Sequence, residues 1–346
     1  MNKYSLIVIF TCFLLTSCLE IETFTQINAD GSIKRKITLE GLADGIQATR
    51  FNIPRHDLHL WQVSSDSIDP QKILYSAQRT FESIDALNQS FLKDNGDLKV
   101  NIKSELDVSN WLIFTSYKYT EKIWADLPGP QVPMDSYLSS DDLSKLFINK
   151  NLAEESRMDS AETQRIENAL VSYLEYRAFS DFILELRVGA RSVGIEDLLD
   201  ETLKLMSDSI FVQLKESNYY DTNSEWIEVL GETFDDSTLV NIERENSHGF
   251  KSFQNRWDFV EEMSLNNHSF NVALPGVVRE TNSNQLSGSS LEWNPDPLQF
   301  FFEGVELRAE SREFNELTAV IIGLIVFFGL AIMLVWILRR RVMGQP

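Results

Sequence analysis

The chain has 346 residues, with 31 Lys and Arg against 52 Asp and Glu and a formal net charge of −21. That excess of acid repels polyphosphate and excludes nucleic acid as a partner. Two cysteines exclude a disulfide framework, while 43% hydrophobic residues, 22 of the 346 being Phe, suffice for a large core.

The two ends define the organisation. Met1-Asn2-Lys3 is a short positive start, Tyr4 to Leu15 is an apolar run of signal-peptide length, and Leu15-Thr16-Ser17-Cys18 closes it. These four residues resemble the lipobox of bacterial lipoproteins. The resemblance implies cleavage between Ser17 and Cys18, with diacylglycerol and palmitate carried on Cys18. Cys12 lies in the removed segment, so acylation occupies the one remaining thiol. At the other end Leu317 to Leu338 is free of charge and is followed by Arg339, Arg340 and Arg341. Its 22 residues reach about 33 Å as a helix, enough to cross a bilayer core. The arginines place the tail in the cytoplasm and the bulk of the chain outside it, on the cytoplasmic (inner) membrane. Residues 19–316 hold all 52 acids and 27 of the 31 bases, a net charge of −25.

In chain order, Leu19, Ile21 and Ile27 alternate with Glu20, Glu22 and Gln26, and Ile33, Ile37 and Leu39 alternate with Lys34, Lys36 and Glu40. Both read as half-buried strands. A two-residue turn at Asp30-Gly31 would set Ile27 opposite Lys34. A three-residue loop, Ala29-Asp30-Gly31, sets Ile27 opposite Ile33 and Ile21 opposite Leu39, which predicts left-handed Gly31 and a G1 bulge.

Residues 41 to 71 read as loop. His56 and His59 have metal-ligand spacing, but Pro54 stands beside them and no third ligand is in the run, so no metal is expected. Ile73 to Phe81 is another strand. Ser83 caps a helix carrying Ile84, Leu87, Phe91 and Leu92, stopped at Asn95-Gly96. Within it Ser90 and Lys93 have the SxxK spacing of serine acyl enzymes, without the Ser-Asp-Asn or Lys-Thr-Gly companions. Leu98 to Leu106 and Trp111 to Tyr119 read as strands joined around Asp107 to Asn110.

Character changes at Leu127-Pro128-Gly129-Pro130. Ile166, Leu170, Tyr173 and Leu174 share a helical face, as do Ile195, Leu198, Leu199, Leu203 and Met206, with Gly189 and Gly194 bracketing a break. Residues 124–265 carry 29 acids and 12 bases, the surface of a solvated helical insertion or of a dock for a basic partner protein. Phe250 to Met263, with Phe253, Trp257 and Phe259, is a further helix. Then Phe270, Val272 and Leu274 alternate into Pro275-Gly276, Thr281-Asn282-Ser283 turns, and Leu291-Glu292-Trp293 is a short strand. Phe300, Phe302, Val305, Leu307 and Ala309 suggest a last hairpin around Glu303-Gly304.

The Cys-then-strand with its Asp-Gly turn, Pro275-Gly276 and Asn282 before Trp293, and Leu307-Arg308-Ala309-Glu310-Ser311 ahead of the apolar run resemble the LppM-like bacterial lipoproteins. The resemblance covers roughly 19–123 and 266–338. It implies an α+β extracytoplasmic domain tethered to the cytoplasmic membrane and engaging envelope lipids, and it brings no catalytic residues.

The expected architecture is therefore α+β, a mostly antiparallel sheet with packed helix, a helical insertion and a C-terminal transmembrane helix. Its segments are a signal peptide (1–17), a first α+β part (18–123), an acidic helical insertion (124–265), a closing β segment (266–316), the membrane span (317–338) and a basic tail (339–346). With one anchor at each end, both ends of the domain are expected at the membrane, the first and last strands in one sheet. The expected role is non-enzymatic: binding an envelope lipid or glycolipid at the membrane surface, with no cofactor. The alternative is a scaffold that uses the acidic insertion to hold a membrane complex. A surface hydrolase has no GxSxG elbow, HExxH helix or free cysteine nucleophile to work with.

Overall fold

A computed structural model describes residues 19–43, 46, 58–69, 72–92, 100–150, 159–197, 199–201, 203–204, 211, 236–287 and 290–343. The fold is α+β. Strands β1 (Glu20–Ile27), β2 (Ile33–Leu42), β3 (Gln62–Ser67) and β4 (Lys72–Phe81) precede helix α1 (Ile84–Leu92) and the pair β5 (Val100–Asn110) and β6 (Phe114–Ala125). Helices α2 (Ser140–Lys150), α3 (Ser160–Val193), α4 (Asp236–Glu245) and α5 (Ser247–Leu265) follow. The chain then returns to β7 (Asn267–Ala273), β8 (Val277–Thr281), β9 (Gln285–Ser287), β10 (Ser290–Trp293), a short α6 (Gln299–Phe302), β11 (Val305–Phe314) and the apolar α7 (Glu316–Met343).

The β1–β2 hairpin has the register that burial demands. Ile27 faces Ile33 and Ile21 faces Leu39. Gly31 has φ +83°, and its N–H donates to the Asn28 carbonyl at 3.0 Å. Alternation therefore sends Ile21, Thr23, Thr25 and Ile27, with Ile33, Arg35, Ile37 and Leu39, to one buried face. Ser83 caps α1 as expected, its Oγ accepting from the Ala86 N–H at 3.2 Å.

Two sheets form, ordered β3-β4-β2-β1-β7-β10-β9 and β5-β6-β11-β8. The first is antiparallel except where β1 runs parallel to β7. The first and last strands thus lie in different sheets, against expectation: β1 pairs with β2 and β7, and β11 with β6 and β8. Asn282 staples the sheets, its Oδ1 accepting from Trp293 Nε1–H (3.0 Å) and the Arg308 N–H (2.8 Å) while its Nδ2 donates to the Glu306 carbonyl (2.7 Å). At Pro275-Gly276, φ of Gly276 is +76°, and a Cβ there would stand 2.2 Å from the Arg312 carbonyl oxygen.

Four local expectations are corrected. β3 lies within the stretch read as loop; all six of its residues are exposed, so an edge strand has no apolar alternation to show. The β5–β6 turn is at Trp111-Leu112-Ile113 rather than Asp107 to Asn110, because β5 continues to Asn110 opposite Thr115. The helical break needs only Gly194, which has φ +78° and ends α3; Gly189 stays inside α3, where a Cβ would meet Ile242 Cγ2 at 2.7 Å, so it serves close approach by α4. Phe300 is in α6, not a hairpin: Asp296 Oδ1 accepts from the Leu298 N–H at 2.9 Å, and consecutive Phe300 and Phe301 are both buried, which a strand cannot do on one face.

The core joins both sheets to the helices. Phe179, Phe182 and Ile183 of α3 and Phe250, Phe253, Trp257 and Phe259 of α5 belong to the same buried cluster as Ile21, Ile37, Tyr119 and Leu307. Leu143, Leu146 and Phe147 of α2 pack separately on Ile166, Leu170 and Leu174 of α3.

Candidate functional site

The space between the sheets is filled by a polar cluster. Arg35 of β2 and Glu121 of β6 are 0% and 1% exposed. The Arg35 Nη2 pairs with Glu121 Oε2, and Nη1 reaches Oε1 at 3.3 Å. Ser104 Oγ–H and Tyr119 O–H each donate to Oε2 at 2.6 Å. Burial alone would raise the Glu121 pKa, but the Arg35 guanidinium and the two hydroxyls hold it below the usual carboxylate range. Burial and then the Glu121 charge push the Tyr119 phenol above its ordinary value. Asn88 of α1 completes the arrangement by bonding the Ser104 backbone on both sides, 2.8 and 2.9 Å, which covers the outer edge of β5. The charges neutralise one another in the interior, although the Arg35 Nε is buried without a hydrogen-bond partner among the described residues.

Open volume lies instead on the flank of α3. One cleft, about 770 Å³, is lined by Pro130, Val132, Tyr176, Phe179, Ile183, Leu184 and Leu203, with Ser180, Arg187, Asp200 and Lys204 also in its wall. Its floor is aromatic: Tyr176 and Phe179 each hold the Phe211 ring at 5.3 Å. Arg187 Nε donates to Asp200 Oδ1 at 2.9 Å across one side. The volume is in the range of ligand pockets, and the composition is an apolar wall with Lys204 and the Arg187–Asp200 ion pair at its margin.

α3 shapes this cleft by clamping the Leu127-Pro128-Gly129-Pro130 turn. The Arg177 guanidinium donates to the carbonyls of Leu127 (2.7 Å), Pro128 (2.9 Å) and Gly129 (3.4 Å). One turn on, Asp181 accepts from both Arg256 (2.9 and 3.0 Å) and Trp257 Nε1–H (3.0 Å). Gly129 has φ +79°, and a Cβ there would stand 2.9 Å from Asp181 Cβ. Proline and glycine in this turn are thus what let the strand-to-helix connection lie flat on α3. A second cleft, about 570 Å³, opens on the other side of Arg177 between Trp124, Gln131 and Phe302.

Of the residues singled out in the sequence, Ser17, Cys18, His56, Lys93, Leu198 and Met206 lie outside the described residues. His59 is exposed, and among the described residues no group of His, Cys, Asp and Glu could hold a metal ion. His268 is the histidine with a distinctive setting: burial pushes its pKa down to about 3, and its ring meets Phe300 edge-on at 5.2 Å. Sequence reasoning missed the Arg35–Glu121 pair. The signal was a charged residue at an inward position of an alternating strand, Arg35 between Ile33 and Ile37.

The start of β1 and the start of α7 lie at opposite ends of the sheet pair. Leu19 begins β1 beside Asn266, and Phe300, which packs on His268 and Phe270, sits near this same end. The β1–β2 turn lies at the other end, where Ala29 accepts from Tyr117 O–H (3.3 Å). That end also carries Glu313, likewise bonded by Tyr117 (2.9 Å), and the start of α7. Within α7, Thr318–Arg339 is long and apolar enough to cross a membrane, and none of it is buried.

No family model matches the chain, and neither does any curated protein. Among solved structures the chain is similar to the folded domain of LppM from Mycobacterium tuberculosis, determined by NMR. The identity is 9%, the TM-score 0.32, and the alignment covers 88% of this chain and 94% of that one.

Proposed function

We propose that the protein is a membrane-anchored extracytoplasmic lipoprotein that holds an amphiphile, an envelope lipid or glycolipid, in the cleft on α3, without doing chemistry on it. The observation that carries this reading is the cleft itself, some 770 Å³ with an aromatic and aliphatic wall and Lys204 and Arg187 at its margin. The apolar wall suits acyl chains and Lys204, beside the Arg187–Asp200 ion pair, suits an anionic headgroup, while the acidic domain surface repels anions. In this reading Cys18 carries the lipid anchor, α7 crosses the inner membrane, and the tail of arginines lies in the cytoplasm. Because β1 and α7 leave opposite ends of the sheet pair, two anchors in one bilayer require the domain to lie along the membrane rather than stand on it. That posture brings the helical flank within reach of lipid.

The test is photo-crosslinking. The full-length protein is placed in nanodiscs that contain a diacyl phospholipid with a diazirine in its acyl chain, and adducts are mapped after illumination. Adducts on Tyr176, Phe179, Ile183 or Leu203 support the reading; adducts confined to residues 317–338 contradict it. Alkaline phosphatase fused at position 310 is expected to be active and at 346 inactive, and the opposite pattern overturns the topology.

A second reading, a scaffold, is favoured by one observation. Residues 124–265 carry 29 acids against 12 bases, and only some are engaged internally: hydrogen bonds from Ser139 and Arg165 hold the pKa of the half-buried Asp142 at about 2, and Glu162 shares Arg165. Charge reversal at unpaired exposed acids such as Glu201 and Glu243 is then expected to abolish co-purification of one basic partner, and under the lipid reading to change nothing.

A further inference from the structure

The hairpin turn between β5 and β6 is built in a way that solvent contact does not explain. Trp111, Leu112 and Ile113 are 62%, 77% and 41% exposed, and they are three consecutive large apolar residues at the tip of the hairpin. A turn in water uses Gly, Asn, Asp or Pro, because those residues satisfy its geometry and its solvation. Here the turn is closed by the Trp111 N–H donating to the Phe114 carbonyl at 2.8 Å, with Thr115 Oγ1–H donating to Asn110 Oδ1 at 2.9 Å just outside it. The side chains are left free of any structural task except a stack of Trp111 on Phe114 at 5.9 Å.

The location of this tip decides its partner. β6 pairs with β11 to the end, Phe114 opposite Phe314, and the Asn315 N–H then donates to the Ile113 carbonyl at 2.9 Å. α7 begins at the next residue, with Asn315 Oδ1 capping the Thr318 N–H at 3.1 Å. The tip is therefore bonded to the residue that starts the membrane helix. The apolar span opens at Thr318, three residues later, or roughly 5 Å along a helix. Phe314 (61% exposed), on β11 opposite Phe114, extends the same apolar surface. Above it the polar groups resume: Arg312 lies over the Phe114 ring at 5.1 Å, and Tyr117 bonds Glu313. An aromatic, two aliphatics and a following polar layer at the depth where a helix enters a bilayer is the composition of an interfacial anchor.

We infer that the Trp111-Leu112-Ile113 tip, with Phe314 beside it, is inserted into the interfacial region of the bilayer next to α7, so that sheet β5-β6-β11-β8 is fixed to the membrane at two neighbouring points. The inference rests on α7 crossing the bilayer, and is independent of what the α3 cleft holds. Insertion is driven by apolar burial, so it does not need an anionic headgroup; the strongly acidic domain would be repelled by one. Its consequence is mechanical. β11 joins α7 through Asn315 alone, a junction about which the domain could swivel, and a second contact removes that freedom.

The test places an environment-sensitive fluorescent amino acid at Leu112 in the full-length chain, leaving Cys18 untouched, and a second version carries it at Phe328 in the middle of the span. Each is reconstituted in phosphatidylcholine vesicles with or without doxyl-labelled lipid, and with iodide in the aqueous phase. Quenching of the position-112 probe by shallow doxyl at least threefold stronger than by iodide is the expected result, with blue-shifted emission. If position 328 is quenched by doxyl lipid while position 112 is quenched by iodide only, the tip is in water; the inference fails while the span stands. If neither position responds to doxyl, the membrane span and the inference fall together. A position-112 probe shielded from both quenchers, with crosslinks between copies, makes the tip a contact with a second chain and overturns the inference.

Discussion

The space between the two sheets and the flank of α3 are both interior surfaces, but one is closed and the other open. Between the sheets, Arg35 and Glu121 meet with Ser104 and Tyr119 filling the remaining acceptor positions. On α3 the same economy of charged groups, Arg177 on three carbonyls and Asp181 on Arg256 and Trp257, fixes a turn and a neighbouring helix and leaves a groove beside them. A buried ion pair is costly to create and costlier to break, so it specifies how the sheets register rather than adding net stability. Open space is left beside that clamped turn, along the flank of α3.

Removing one partner between the sheets should therefore have the largest effect. Arg35→Met is expected to lower stability by about 3–5 kcal/mol, because Glu121 is left charged and buried. Arg35→Met with Glu121→Leu should recover more than half of that loss in urea unfolding, and a double variant no better than the single would show that the pair is not what the site costs. The same pair sets an acid limit. Glu121 is depressed in the folded state, so its contribution is complete above the ordinary carboxylate range and is lost as pH falls through its lower folded value.

His268 gives the next effect. Its folded pKa of about 3 lies below an ordinary value of 6.5, so the unfolded chain binds the extra proton between those limits. Stability is whole above about pH 6.5 and falls on acidification, by up to roughly 1.4 kcal/mol per pH unit in that window. His268→Phe should flatten the Tm against pH curve between 6.5 and 4; an unchanged slope would assign it elsewhere.

On the open side the losses are smaller. Asp181→Ala strands the Trp257 Nε1–H and part of Arg256, which is expected to cost about 1–3 kcal/mol by thermal unfolding. Ser180→Trp, projecting into the groove, should change stability by less than about 1 kcal/mol and yet abolish lipid adducts on α3. A variant that folds normally and still takes the adducts would detach the groove from lipid binding.

The sequence made the first hairpin legible to the residue, because a burial period of two and a glycine that must be left-handed constrain register together. It made α3 and α5 legible through their faces, and α7 through its length. What it hid has a physical reason in each case. β3 buries nothing and so has no pattern. Gly189 looked like a breaker because close helix packing and helix termination use the same residue. The polar cluster between the sheets needs Arg35, Ser104 and Glu121 from three strands, and no spacing within one strand announces it. The tip at Trp111 was placed inside a strand, since its apolar residues match strand composition; only pairing to Asn315 shows them at the membrane helix.

Native mass spectrometry of the full-length protein released from detergent tests most directly whether the groove of α3 holds a lipid. The prediction is one non-covalent lipid per chain, additional to any acyl groups on Cys18, surviving mild activation and absent from Ser180→Trp. A chain that carries its covalent lipid and nothing else, or one whose extra lipid is unaffected by Ser180→Trp, would contradict it.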